Sequence, residues 1–187
     1  MTVLHSARLM LRPVRSDDLD WITALSADPR VMTMLGGTRS PVQVQGWLDR
    51  ELGQLQRFGY CRHLVSFNAE PIGLVGLTRA DFDSGIVPGI EIAWTLAHAH
   101  WGQGFATEAA QCVLQDASTS LGIHELVAIT SVDNARSRRV MERLGMRQSV
   151  TETFEHPHLP AGHPLRTHVV YRLTSPREAA QQVKAFP

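Results

Sequence analysis

Ile90-Glu91-Ile92-Ala93-Trp94-Thr95-Leu96 and, beyond Ala97–His100, Trp101-Gly102-Gln103-Gly104-Phe105-Ala106-Thr107 form the stretch on which the fold turns. The first run reads as a strand, with polar Glu91 among apolar neighbours. After the glycines, Ala106, Ala109, Ala110, Val113, Leu114, Ala117 and Leu121 recur at helical spacing, and Gly122 supplies the C-cap. A helix start leaves N–H groups without partners and carries partial positive charge. Glycines before it let a ligand approach the backbone, so strand, glycines and helix together suit a phosphate or pyrophosphate. A plain turn is the other reading of the same glycines.

Three ligands could use such a cradle. A Walker-type loop needs GxxxxGK[ST], and no lysine stands here. A dinucleotide site wants a third glycine or alanine where Thr107 stands, and an acid about 20 residues on. Asp133 lies about 30 residues past Gly102, so it imitates that acid poorly. Coenzyme A is the third, because its pyrophosphate needs N–H donors and no metal.

Working outward, Leu9–Val14 reads as a strand, and Ser16 or Asp17 caps a helix carrying Leu19, Ile22 and Leu25 that ends at Asp28-Pro29. Gly36-Gly37 makes a turn. Ser40-Pro41 starts a second helix, with Val44, Trp47, Leu48, Leu52 and Leu55 on one face and Gly59 as its stop. Strands are expected at His63–Asn68 and Ile72–Thr78 around a Glu70-Pro71 turn, with a loop over Asp81–Gly89. Past the glycine segment come a strand at Leu126–Thr130 and a helix capped by Asn134 that carries Val140, Met141 and Leu144. Strands at Arg147–Phe154 and His168–Leu173 then flank a loop rich in proline and histidine, and the tail after Pro176 forms a short helix or frays. This order describes a mixed α/β domain with one central sheet.

The 187 residues suit one domain with a sizeable core. Lys+Arg and Asp+Glu balance at 18 each, so no global field draws nucleic acid or anionic lipid, and an anionic ligand needs a local arrangement. Cys61 and Cys112 lack CxxC spacing, which argues against a disulfide framework or thiolate zinc site and fits a reducing cytoplasm. The first twelve residues lack the pattern of a signal peptide, and no run approaches the roughly 20 apolar residues of a membrane span. A soluble, cytoplasmic protein without nucleic-acid or membrane partners is expected.

Glu91-Ile92-Ala93-Trp94 with Trp101–Ala109 resembles motif A of the GNAT N-acetyltransferase superfamily, and Asn134-x-x-Ser137 with Arg139–Met146 is similar to its motif B. Arg8–Pro13, Asp28–Met32 with Gly36-Gly37, and the closing His163–Leu173 resemble the RimJ/RimL-type branch. The match covers about residues 8–173 in the family's order. It implies a single N-acetyltransferase domain over residues 1–187, α/β in class, with one mixed, mostly antiparallel central sheet flanked by helices. It implies acetyl-CoA as co-substrate, no metal, an amine acceptor that is a small molecule or a protein N-terminus, and a fold that admits a homodimer.

By the same resemblance, Trp94, Thr95 and Leu96 hydrogen-bond the pantetheine arm, and Trp101, Gly102, Gln103, Gly104, Phe105, Ala106 and Thr107 hold the pyrophosphate. Trp101 stands where the family usually has Gln or Arg. Asn134 contacts the coenzyme, caps its helix, or does both. Of the basic cluster Arg136, Arg138 and Arg139, Arg139 is assigned to the coenzyme, with a solvated helix face as the other account. Met32, Leu35, Gly36 and His168 are expected to shape the acceptor pocket.

The resemblance also implies direct attack by the amine in a ternary complex. Glu91 is the candidate base, acting directly or through water, since a carboxylate near its ordinary pKa is a poor base unaided. Ser137 resembles the hydroxyl that RimL-type enzymes place near the sulfur, and Met141 occupies the position where many members carry a thiol-protonating tyrosine. Tyr60 and Tyr171 are the only tyrosines. A backbone N–H near Trp94 or Thr95 is expected to meet the oxyanion. A catalytically inactive coenzyme A-binding module is the alternative, because methionine cannot donate a proton. His156-x-His158, His163 and His168 invite a metal, but no acidic or thiolate ligand stands among them, and the prolines at 157, 160 and 164 explain the segment as a rigid turn.

Overall fold

Leucines at 9 and 11 point inward and Met10 outward, and this two-residue alternation makes Leu9–Pro13 a strand with one buried face. The structure is a computed structural model that describes residues 2–80 and 89–174. It is α/β, with a single mixed, mostly antiparallel sheet flanked by helices, as the order of elements leads one to expect. The expected loop over Asp81–Gly89, apart from Gly89, and the tail after Pro176 lie outside the described residues. The chain divides into two compact units that interleave along the sequence: Met1–Thr78 with Ala93–Val113, and Arg79–Ile92 with Leu114–Pro187.

The first unit contains β1 (Leu4–His5), β2 (Leu9–Pro13), α1 (Leu19–Ala27), α2 (Pro29–Met32), α3 (Pro41–Phe58), β3 (Arg62–Phe67), most of β4 (Glu70–Ala80), the end of β5 (Gly89–Leu96) and the start of α4 (Phe105–Thr119). Neighbouring strands from β1 to β4 run antiparallel. Ser40 caps α3 as expected: its hydroxyl accepts the Gln43 N–H at 3.3 Å, and the Gln43 side chain accepts the Ser40 N–H at 2.8 Å. Val14, Ile22, Leu25, Val31, Val44, Trp47, Leu48, Leu64 and Leu74 make one buried cluster. Each such side chain contributes about 1.5–3 kcal/mol of hydrophobic stabilisation.

Two local expectations are corrected here. The β3–β4 turn is Asn68-Ala69, both at positive φ (50° and 66°), while Glu70 and Pro71 belong to β4. A two-residue hairpin loop with both residues left-handed matches the strand twist, and cross-strand register overrode the proline signal. Neither Ser16 nor Asp17 caps α1. Ser16–Asp18 is a 3-10 turn, and the buried Asp18 carboxylate instead accepts the Arg15 N–H and the Arg12 guanidinium, both at 2.8 Å. The short elements β1 and α2 and the 3-10 turn His98–His100 add to the expected order.

The second unit contains the start of β5, the rest of α4, β6 (Glu125–Ser131), α5 (Ala135–Arg143), β7 (Arg147–Glu155) and β8 (Thr167–Thr174). Here β6 runs parallel to β5, with Glu91 opposite Val127, and antiparallel to β8, which pairs antiparallel with β7. Val169, Val170, Tyr171 and Leu173 of β8 are buried, as are Met141 of α5, Leu144 at its C-cap and Leu126–Ala128 of β6. Among the described residues, no helix is long and apolar enough to cross a membrane.

Candidate functional site

The candidate residues fall in both units. In the first, Gly102 and Gly104 adopt φ of +77° and +81°, a left-handed conformation natural to glycine. Gly104 O accepts the first helical bond, from the Glu108 N–H at 3.0 Å, so α4 begins immediately beyond it. The N–H groups of Phe105, Ala106 and Thr107 therefore lie in the first turn, where the helix itself has no carbonyl for them. The Thr107 hydroxyl is buried and has no hydrogen-bond partner among the described residues. Three first-turn donors without an intrahelical carbonyl, a positive helix end and a hydroxyl unsatisfied among the described residues fit a pyrophosphate.

A clamp absent from the sequence reading holds this loop. Arg8 Nη2 donates to Gln103 O at 3.1 Å, and Arg8 Nε to Glu108 Oε2 at 2.7 Å; the guanidinium stacks 4.4 Å from the centre of the Phe105 ring. Glu108 also accepts from Ser6 Oγ at 2.6 Å and from the Arg8 backbone N–H at 3.0 Å. Burial alone would push the Glu108 carboxyl up; the hydrogen bonds from Ser6 and Arg8 outweigh it and hold the pKa below the ordinary range. With about a hundred residues between the partners, no local signal could reveal the clamp.

Trp94, Thr95 and Leu96 form the end of β5. The Trp101 indole N–H donates to Leu96 O at 2.8 Å, so this tryptophan braces the strand end against the glycine loop. Gln103 Nε2 donates to Ala99 O at 3.1 Å. Beside this strand end, a Cβ on Gly73 would lie 2.1 Å from Leu96 Cδ2 and 2.7 Å from Thr95 O, so only glycine lets β4 approach.

In the second unit, Glu91 is half-buried in β5, opposite Val127. Asn134 is the N-cap of α5: its Oδ1 accepts the Ser137 N–H at 3.2 Å, and its Nδ2 donates to Thr130 Oγ1 at 3.0 Å. Ser137 is half-buried in the first turn of α5, whereas Arg139 is exposed. Arg138 is engaged within the unit, donating to Tyr171 Oη, Val132 O and Gln148 Oε1, each at 3.2 Å. The buried Tyr171 is thereby bound into a partly exposed network that also takes in Glu142, and Met141 is core. The Ser131 hydroxyl, at the end of β6, is fully buried without a hydrogen-bond partner among the described residues.

Of the expected acceptor residues in the first unit, Met32 is buried in the core, while Leu35 and Gly36 are exposed. In the second, His168 stands 4.8 Å from His156 and 5.6 Å from Phe154 between ring centres, with His158 5.4 Å from His156. Burial first, and then the neighbouring His168 and His158, together push the His156 pKa down to about 4. No group of three or more metal-ligating side chains occurs among the described residues. Burial also pushes the Cys61 thiol up to about 12 and raises that of Cys112.

Residues 8–147 match the acetyltransferase (GNAT) domain family. An uncharacterized N-acetyltransferase p20 from Bacillus licheniformis is 30% identical over 156 residues, covering 79% of this chain and 84% of the relative. FsC-acetyl coenzyme A-N(2)-transacetylase from Aspergillus fumigatus is 30% identical over 161 residues, covering 81% of this chain and 66% of the relative. The crystal structure of an acetyltransferase from Agrobacterium tumefaciens superposes with a TM-score of 0.76 at 28% identity, covering 94% of this chain and 95% of that one.

Proposed function

The chain belongs to the GNAT acetyltransferase family, and from that premise we propose that it moves an acetyl group from acetyl-CoA directly to a primary amine, within a ternary complex. It is an N-acetyltransferase, and transfer from acetyl-CoA to an amine is the family's reaction. The acceptor is a small-molecule amine or a protein N-terminus, in the cytoplasm. Bound acetyl-CoA supplies an acyl thioester.

The observation that carries this reading is the pair of left-handed glycines opening α4, with three first-turn N–H groups and a buried, unsatisfied Thr107 hydroxyl. Trp101–Thr107 hold the pyrophosphate, Trp94–Leu96 the pantetheine, and a backbone N–H near Trp94 or Thr95 meets charge developing on the carbonyl oxygen. Glu91 accepts the amine proton directly or through water, Ser137 gives a hydrogen bond to the leaving sulfur, and Arg139 and Asn134 contact the coenzyme. Engagement of Tyr171 with Arg138 and Glu142 supports the choice of Ser137. Thiols raised by burial support direct attack over a cysteinyl intermediate. Met32, Leu35, Gly36 and His168 shape the acceptor side.

Reference pKa values set the task of the base. About a tenth of an α-amine is neutral at pH 7, against roughly 0.04% of a lysine amine, a cost of about 1 against 4–5 kcal/mol. A water-relayed carboxylate suffices for the first, which favours acceptor amines of low pKa. The test is a thermal-shift titration with acetyl-CoA on wild type and Gly104→Glu. A ligand that binds only the native state stabilises it by about 2.7 kcal/mol at a hundred times Kd. A dose-dependent rise in wild type, absent from the variant, supports the reading, as does thiol release with an amine panel that falls in Glu91→Gln and Ser137→Ala. No rise in folded wild type defeats it.

A further inference from the structure

No Lys or Arg occurs in the sequence between Arg79 and Arg136, and Trp101 stands where the family usually has Gln or Arg, so the glycine loop carries no cation of its own. A helix start offers the equivalent of only about half a positive charge, whereas a pyrophosphate is charged on both phosphates. One guanidinium nevertheless reaches the loop, from the connection between β1 and β2. Arg8 Nη2, the nitrogen that holds Gln103 O at 3.1 Å, also lies 3.6 Å from where a Cβ on Gly104 would stand. The same guanidinium covers the Phe105 ring at 4.4 Å. Arg8 thus lies against three consecutive residues of the cradle, all of them in the first unit.

The nitrogens of this side chain are not all engaged. Nε donates to Glu108 Oε2 and Nη2 to Gln103 O, while Nη1 has no hydrogen-bond partner among the described residues. Glu108 is the more buried member of the ion pair, 18% exposed against 44% for Arg8, and its other oxygen is committed to Ser6 Oγ and the Arg8 backbone N–H. The carboxylate therefore fixes the guanidinium in place, and the guanidinium is the member more open to a ligand at the loop. A planar cation with donors to spare suits phosphate oxygens. Because the ion pair already orders the side chain, a further contact costs little rotamer entropy.

We propose that Arg8 binds the pyrophosphate of the coenzyme directly, supplying from outside the glycine motif the cation that Trp101 leaves out of it. This assignment rests on the acetyl-CoA reading above. It gives Arg8 a second duty beside its hold on the loop, and the two duties differ in what they require. Holding the loop needs the fork that joins Gln103 O to Glu108, whereas attracting phosphate needs a positive charge at that place.

Calorimetric titration of wild type, Arg8→Gln and Arg8→Lys with CoA separates charge from fork, with ligand-free thermal unfolding to confirm that each variant is folded. Arg8→Gln is expected to bind CoA about tenfold more weakly, the lower end of a charged hydrogen bond's worth. Arg8→Lys, which keeps the charge and loses the fork, recovers most of that affinity. Added salt narrows the gap between wild type and Arg8→Gln, because it screens an exposed charge and leaves loop shape alone. Dephospho-CoA, which keeps the pyrophosphate and lacks the 3′-phosphate, shows the same loss in Arg8→Gln as CoA does. Arg8→Lys binding as weakly as Arg8→Gln, or a gap indifferent to salt, reduces Arg8 to a clamp and overturns the proposal. A loss seen with CoA and absent with dephospho-CoA moves the contact to the 3′-phosphate and overturns the pyrophosphate assignment. Equal CoA affinity in wild type and Arg8→Gln sinks this proposal alone, whereas no CoA binding by folded wild type sinks the acetyl-CoA reading with it.

Discussion

The Arg8 guanidinium stands 2.5 Å from the Glu108 carboxylate and at the same time holds the Gln103 carbonyl, so one side chain ties the glycine loop to the first turn of α4. Cradle geometry therefore depends on a residue with no place in the glycine motif. Arg8→Ala is expected to weaken acetyl-CoA binding about tenfold and, because the pair is partly exposed, to cost only about 1 kcal/mol of stability. Calorimetric titration and urea unfolding measure the two effects. Unchanged acetyl-CoA affinity would show that the loop holds its shape unaided. The Glu108 pKa is lowered on folding, so its stabilisation is present above the ordinary carboxyl pKa and is lost as pH falls through the folded value.

Gly73 and Leu96 approach too closely for any side chain at position 73. Gly73→Ala is expected to destabilise the protein by about 1–3 kcal/mol through overpacking and to displace the end of β5. Thermal unfolding reads the first effect, and KM for acetyl-CoA, expected to rise, reads the second. A variant as stable as wild type would contradict the close approach.

Asn134 uses both ends of its amide, so two variants separate its duties. Asn134→Ala removes the cap and is expected to cost about 1 kcal/mol. Asn134→Asp keeps the cap oxygen but loses the donor to Thr130. Restored stability with a persistently raised KM for acetyl-CoA would assign the nitrogen to the coenzyme. Recovery of both would leave the residue as a cap alone.

His156 is held neutral by its surroundings. With a folded pKa of about 4 against about 6.5 unfolded, the unfolded chain binds the extra proton between those values. Stability is therefore full above about pH 6.5 and declines as pH falls toward 4. His156→Asn should flatten that slope, as read from urea unfolding across the interval. NMR titration of the His156 ring in wild type should give an apparent pKa well below 6; a value near 6.5 would contradict its packing against His158 and His168.

What was legible in the sequence was legible because its cause is local. The Ser40–Gln43 box, the stop at Gly59, the Asn134 cap and the left-handed glycines before α4 each act within a few residues, so spacing and residue type reveal them. Where local signals competed, pairing prevailed. Pro71 suggested a turn, but the β3–β4 register placed it in a strand and left Asn68 and Ala69 to take the left-handed conformation. Met141 shows the same limit, since its position in the family motif draws attention to a missing tyrosine while the structure shows a core side chain.

The sequence alone determined the alternation and periodicity of the elements, their caps, and the backbone freedom of the glycine loop, all consequences of chain geometry over a few residues. Tertiary structure alone decided which distant side chains meet. Arg8 on Glu108, Gly73 under Leu96, and His156 against His168 are each set by packing and desolvation, which depend on separation in space.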